Sequence, residues 1–339
     1  MAKALRWDVL VGVLLIAVFA GGSVVSPGFA TAGNLSFALG DLGEIALIAL
    51  AMTMLVVAAE VDLSVASVLG LSSALVGALW DGGLPIEMII PLVVLVGALC
   101  GLVNGLLVTR LGLPSLAVTI GTLALYRGLA YVVLGDQAVA QFPSQYTSLA
   151  VGNVPGTFIP YPVALFALLA VVVAVALHAT GFGRSLYAIG AQEQAAFFAG
   201  IRVKRIKLLL FVFSGTIAAF AGVVFTLRYG SARADNGLGI ELAVIAAVLL
   251  GGVDFDGGKG TLGGVIAGVL LIGLLRNLLM LGDVSTEIQS IVTGLLLIVS
   301  VLTPRLVTLL KPALRRHRTG TGRSSKSGQS GHPALKGTP

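Results

Sequence analysis

Residues 180–207 read TGFGRSLYAIGAQEQAAFFAGIRVKRIK, a stretch with Arg184, Arg202, Lys204, Arg205 and Lys207 set between two strongly apolar runs. Basic segments next to membrane spans stay on the cytoplasmic side, so the position of this stretch decides how the chain is threaded. Working outward, a helix needs roughly 20 apolar residues to cross the hydrocarbon. Ten stretches qualify or nearly do: 8–26, 43–59, 61–80, 88–109, 115–134, 161–179, 208–227, 240–253, 261–281 and 287–303. The eighth is short, and the third opens with Glu60 and Asp62 and reads as broken or re-entrant, so eight or nine full crossings are the alternative count.

The charges fix the orientation. With ten spans and an inside N-terminus, the inside segments are 1–7, 60–62, 110–114, 180–207, 254–260 and 304–339, and they hold 17 of the 21 Lys and Arg residues. The outside loops 27–42, 81–87, 135–160 and 282–286 hold none; 228–239 carries Arg228 and Arg233, while Arg127 and Arg276 lie within spans. Removing one middle span would put 180–207 opposite the N-terminus, so both ends are expected inside.

Composition agrees. Hydrophobic residues make up 57% of the 339 and charged residues 11%, against about a quarter charged in a soluble domain, and the mean hydropathy is +1.03. The net charge of +6 comes from eight basic residues between Arg305 and Lys336, a cap that orients a membrane protein better than it suits nucleic acid. The basic segment 304–339, Gly/Ser/Lys/Arg-rich from 311 onward, is expected to be a disordered cytoplasmic tail that can touch anionic lipid, leaving 1–303 as the membrane domain. Cys100 lies in an apolar run, so disulfides and thiolate metal sites are unsupported. Lys3 and Arg6, the run Val9–Ala20 and Ala30-Thr31-Ala32 resemble a cleavable signal peptide, but we read a retained first helix anchored by Trp7.

The fold class expected is therefore an all-α, polytopic membrane bundle. Gly97, Gly101 and Gly105 on the fourth span, and Gly264 and Gly268 on the ninth, form small-residue ladders that pack helices closely. These spans are five apart and run in opposite directions, as a five-plus-five inverted repeat requires.

Catalytic patterns are missing. His178, His317 and His332 are scattered, and no metal-ligand spacing or nucleophile–base pair occurs. Gly258-Lys259 with Thr261 imitates a P-loop, but Val253 stands where its first glycine belongs and Gly260 follows the lysine. No cofactor is implied, the chain is not expected to be an enzyme, and ATP hydrolysis would need a separate subunit. Within 180–207, Gly183 and Gly200 bracket an expected short helix, Leu186 to Ala199, suited to the membrane surface or a partner.

Five stretches resemble a known family. Gly183-Arg184, Ala188, Gly190, Ala195-Ala196, Ala199-Gly200-Ile201, Val203 and Lys207 resemble the coupling loop of the ribose/branched-chain-type permeases of ABC importers. Four others resemble its sugar-specific branch: Asp62-Leu63-Ser64-Val65 with Ser67; Asn104-Gly105; Thr119, Gly121-Thr122 and Tyr126-Arg127-Gly128; and Glu241, Ala246, Val248, Leu250-Gly251-Gly252 and Gly257-Gly258 with Gly260. Together they span about 40–305. Glu60 and Ala66 depart from the family, which has glycine at both places. Tyr229-Gly230-Ser231-Ala232-Arg233 with Asp235, and Arg276-Asn277, look most like the rhamnose and autoinducer-2 members, pointing to a deoxyhexose or small polyol-like sugar.

The resemblance implies a permease that forms a homo- or heterodimer, with two cytoplasmic ATPases and an extracytoplasmic sugar-binding protein, in a bacterial cytoplasmic membrane. It assigns coupling to Gly183, Arg184, Gly190, Glu193, Ala195, Ala196, Gly200 and Ile201. Asp62, Ser64, Asn104, Thr119 and Arg127 are candidates for the translocation path or gate, and Arg228, Arg233 and Asp235 for docking the binding protein. Two readings of Arg127 stay open, a structural pairing with a carbonyl or acid and a place on the path beside Asn104 and Thr119. Glu60 and Asp62 are expected to cap helices or gate. A secondary transporter or facilitator working without an ATPase is the alternative class, and 180–207 is the feature it would not need.

Overall fold

The computed structural model describes residues 2–319, with side chains described at Trp7 and over 9–302. In chain order its helices are α1 Ala2–Val25, α2 Ala32–Val57, α3 Val65–Asp81, α4 Ile86–Leu111, α5 Ser115–Leu134, α6 Ser144–Val151, α7 Tyr161–Ala179, α8 Gly181–Ala191, α9 Glu193–Phe198, α10 Val203–Tyr229, α11 Ile240–Leu250, α12 Leu262–Leu281 and α13 Thr286–Thr319. Two short strands, β1 Val139–Ala140 and β2 Ser231–Ala232, pair antiparallel with Val139 opposite Ala232. Among the described residues, those up to Ser300 pack as one unit, and those from Val301 form a second.

Six helices, α2, α4, α5, α7, α10 and α12, are long and apolar enough to cross a membrane. The other expected spans fall on shorter apolar helices: Val9–Val25 of α1, α3, α11 and Thr286–Leu302 of α13. The shortness of α3 and α11 matches the irregularity expected there. Helix α2 begins at Ala32, well before the expected 43, because Thr31 caps it by accepting the Asn34 amide at 3.4 Å. The small residues that imitate a cleavage site are thus a helix start. Helix α13 continues to Thr319, so the tail expected to be disordered from 304 begins as helix. The rest of the basic tail, 320–339, lies outside the described residues.

Helix α2 is the central strut, buried without interruption from Leu42 to Val57. The glycine ladder of α4 does what its spacing predicts. A Cβ at Gly97 would overlap Ala219 and the Gly215 carbonyl, and one at Gly101 would overlap the Phe211 carbonyl, so α4 and α10 meet backbone to backbone. Gly268 of α12 sits equally close to the Ala247 carbonyl of α11. On the opposite side of α4, Leu95, Leu99 and Val103 are exposed at 56%, 51% and 44%. That apolar face has only lipid to cover it within one chain.

In the irregular segment 58–64 between α2 and α3, Ala58 and Ser64 are fully covered and Asp62 is 1% exposed, while Ala59 is exposed and Leu63 half-buried. Non-helical backbone survives at membrane depth only when protein surrounds it. Here the neighbours supply the bonds: the Val61 amide donates to Ser115 Oγ at 3.3 Å, and the Val57 carbonyl accepts the Gly258 amide at 2.8 Å.

Candidate functional site

Two groups of polar residues stand out, one inside the bundle and one at the end where its short loops meet. Inside, Asp62 Oδ1 accepts from the Ser64 amide at 3.0 Å and the Ser64 hydroxyl at 2.6 Å, while Oδ2 accepts from Ser214 Oγ of α10 at 2.8 Å. Asn104 Nδ2 donates to Ser64 Oγ at 2.8 Å, and the single Tyr126 Oη proton is shared between the Cys100 carbonyl at 3.0 Å and Asn104 Oδ1 at 3.3 Å. Thr119 joins the same break by donating to the Ser115 carbonyl at 2.8 Å and the Val61 carbonyl at 3.4 Å. Four of the five expected path residues therefore meet at the α2–α3 break. All four are buried and engaged with protein partners.

Neither acid at the break caps a helix as expected. Ser64 is the N-cap residue of α3 and makes no side-chain cap bond, because its hydroxyl is turned back to Asp62. Asp62 has no cation among its described partners; an amide oxygen could accept both Ser64 donors, and Ser214 could turn its hydroxyl to accept from the amide nitrogen. Asp62→Asn is accordingly expected to leave folding within about 1 kcal/mol of the native chain, whereas Asp62→Leu, which orphans Ser64 and Ser214, should cost about 3 kcal/mol. Denaturation followed by tryptophan fluorescence in detergent distinguishes the two; equal losses would contradict the network.

Arg127 stands apart from this group. Its Nη1 donates to the Ala234 and Asn236 carbonyls at 2.6 and 2.9 Å, and its Nη2 to the Ala66 carbonyl at 2.9 Å. Gly70 leaves the space the guanidinium fills. These three bonds tie α3, α5 and the 230–239 segment together.

At the loop end, the expected helix Leu186 to Ala199 is two helices, α8 and α9, broken at Gln192 with φ −165° and ψ 103°. The break follows from how each piece is held. A Cβ at Gly190 would overlap the Val57 carbonyl oxygen and the Gly258 amide nitrogen, and Gly183 lies as close to the Leu177 carbonyl. Tyr187 Oη donates to the Gly260 carbonyl at 2.8 Å, and His178 Nε2 accepts the Leu262 amide at 3.4 Å. Helix α9 is tethered separately by Lys207, whose Nζ lies 2.7 Å from Glu193 Oε2 and 2.6 Å from Glu60 Oε1. Ala196 is buried; Gly200, at φ +83°, closes the helix as the Ile201 amide bonds the Ala196 carbonyl at 3.1 Å. Arg184 and Ala195 are exposed, and Ile201 is half-buried.

At the tip of α9, Phe197 and Phe198 are 64% and 85% exposed, with ring centroids 5.8 Å apart. Neither Phe197 nor the Lys207–Glu60 pair forms part of a sequence motif. Adjacent phenylalanines in a polar loop were a visible signal, while a pair separated by so much chain left none. In the neighbouring glycine-rich turn, Lys259 is bound by Asp254 at 2.7 Å, a hydrogen bond that raises the lysine's pKa.

Of the expected docking residues, Arg228 is turned inward. Helix α10 extends to Tyr229, and Arg228 pairs with Glu44 at 2.9 Å and Asp41 at 3.2 Å with its side chain 10% exposed. Arg233 and Asp235 remain at the surface as a two-bond pair at 2.8 and 2.9 Å, which holds the Asp235 carboxyl below its ordinary pKa.

Comparison with known proteins places these features in context. Residues 34–301 match the family described as branched-chain amino acid transport system / permease component. The chain is 35% identical over 294 residues to the ribose import permease protein RbsC of Haemophilus influenzae, covering 86% of this chain and 90% of that one. It is 33% identical over 301 residues to the autoinducer 2 import system permease protein LsrD of Escherichia coli K12, covering 87% and 91%. The LsrD protein of Photorhabdus temperata is 32% identical over 301 residues, covering 87% and 90%. No solved structure matches the chain.

Proposed function

Since the chain belongs to the family of branched-chain amino acid transport system permease components, we propose that it is the membrane-spanning subunit of an ATP-driven, binding-protein-dependent sugar importer. Its relatives named for ribose and autoinducer 2 support a small sugar as cargo. They are bacterial proteins, which supports the bacterial cytoplasmic membrane as its location. Ten crossings with both termini inside fit the basic loops, and the backbone-close ladders of α4 and α12 fit a five-plus-five inverted repeat. A second permease subunit would complete the pathway, and Arg233 with Asp235 offers the binding protein a charged contact.

The observation that carries the reading is the exposed Phe197–Phe198 pair on a loop locked to the bundle through Gly190, Tyr187 and Lys207. Exposed apolar residues on a rigid mount mark a protein interface, and an ATPase is the partner whose motion such a mount would pass to the spans. Co-purification in mild detergent tests this. A stoichiometric ATPase is expected with the native chain and is expected to be lost with Phe197→Ser/Phe198→Ser. Ala196→Trp, or a bulky residue at Gly200, should abolish uptake with the protein still in the membrane. A monodisperse chain that transports alone would overturn the reading in favour of an ATPase-independent carrier.

A further inference from the structure

At the end of the bundle opposite the α8–α9 loop, α2, α12 and α13 enclose an open groove of about 410 Å³. Sites for small molecules run from about 300 to 1,000 Å³, so a single monosaccharide-sized molecule fits. Arg276 of α12 lines this groove and, among the described residues, makes no hydrogen bond or ion pair. Arg127, Arg228 and Arg233 are all engaged. A guanidinium on a span is costly unless it meets water, protein or ligand, and here the groove is what it meets.

The other walls give the groove its chemistry. Asp41 Oδ1 is held by Arg228 at 3.2 Å and the Tyr229 hydroxyl at 3.0 Å, which fixes the carboxylate and leaves Oδ2 without a partner among the described residues. Gln289 is oriented by its Nε2 donating to the Val284 carbonyl at 2.9 Å, which leaves its amide oxygen to accept. Asn277 is fixed by a reciprocal amide pair with Asn34 at 2.8 and 3.0 Å. Phe37 and Met280, 52% and 42% exposed, add apolar surface.

We infer that this groove binds a neutral polyhydroxylated solute. Each hydroxyl of a vicinal diol both donates and accepts, so a two-donor fork opposite carboxylate and amide oxygens matches neighbouring hydroxyls pairwise. The apolar side chains suit the C–H face of a sugar ring. Arg276 stands against Asp41 and Asp283 in the lining, and Arg228, shared between Asp41 and Glu44, offsets part of the remaining negative charge, so the groove has both signs of charge and no strong excess of either. The inference rests on the sugar-permease reading and makes the groove a waiting site at the outer mouth, with Arg276 setting solute specificity.

The test uses the full chain in cells. Cys100 is the only cysteine and is buried, so Met280→Cys supplies one reactive thiol on the groove wall. A membrane-impermeant thiosulfonate added outside should label it. At about ten times the dissociation constant, a bound sugar slows labelling by roughly tenfold. D-ribose, L-rhamnose, L-arabinose, D-xylose and myo-inositol serve as probes, with L-leucine as control. At least one polyol should protect, leucine should not, and adding Arg276→Gln should abolish protection while labelling persists. Protection by no polyol, protection by leucine, or protection that survives Arg276→Gln overturns the site. If an ATPase still co-purifies in that case, the permease reading stands without it. Labelling only from the cytoplasmic face overturns the site together with the threading.

Discussion

Replacing Lys207 by methionine is expected to destabilise the protein by about 3–5 kcal/mol, the range for stripping a buried charge of its partner. The Lys207 and Glu60 side chains are 9% and 8% exposed, and Nζ lies 2.6 Å from Glu60 Oε1. Methionine keeps the apolar stem but leaves the Glu60 carboxylate buried, with Glu193 the next acid in reach of the vacated position. The second half of the prediction separates pairing from packing. Glu60→Met/Lys207→Met removes both charges, and replacing a buried pair with apolar side chains is often near neutral, so the double variant should recover most of the loss. Glu193 is 56% exposed, and Glu193→Gln should cost no more than about 1 kcal/mol. Thermal unfolding of the three variants in detergent measures all of this. A double variant as unstable as Lys207→Met would show that the stem, not the charge, matters.

Gly190→Val is expected to abolish uptake and ATPase recovery while the chain remains in the membrane. The added Cβ would overlap the Val57 carbonyl oxygen and the Gly258 nitrogen, which are bonded to each other at 2.8 Å. Both are backbone atoms, so no rotamer change relieves the overlap, and either α8 moves off the bundle or that hydrogen bond breaks. Overpacking in a well-filled site costs about 1–3 kcal/mol or more. Here the strain falls on the joint between α8 and the end of α2, which should show in coupling before it shows in assembly. Gly263→Ala is the control, because a Cβ there meets open space, and it should transport normally. Normal uptake by Gly190→Val would remove α8 from the proposed coupling route.

Much of the fold could be read from the sequence because hydropathy reports helices directly and glycine spacing reports which helices touch. Gly97, Gly101 and Gly105 marked the α4–α10 contact without naming the partner, which depends on Gly215 and Ala219. The α2–α3 break was visible in Glu60 and Asp62, and Asp62, Ser64, Asn104 and Thr119 do meet there. The bonds of Arg127 could not be read, because its three acceptors are backbone carbonyls and carbonyls have no sequence signature. Arg228 was misplaced by a helix end: two more residues of α10 carry it from an expected outer loop to Glu44. The split of the coupling segment at Gln192 was hidden for a related reason. It comes from two separate anchors, Gly190 on Val57 and Glu193 on Lys207, and nothing in the local composition requires it.

Helix α11 has 11 residues, which at 1.5 Å each rise about 16 Å, roughly half of a hydrocarbon layer about 30 Å thick. The Arg127-bound segment 230–239 precedes it, and the indole of Trp7 donates to its Leu250 carbonyl at 2.9 Å at the other end. Helix α11 by itself therefore covers only about half of that thickness, and protein rather than lipid surrounds it, since Ala243–Leu250 are all buried.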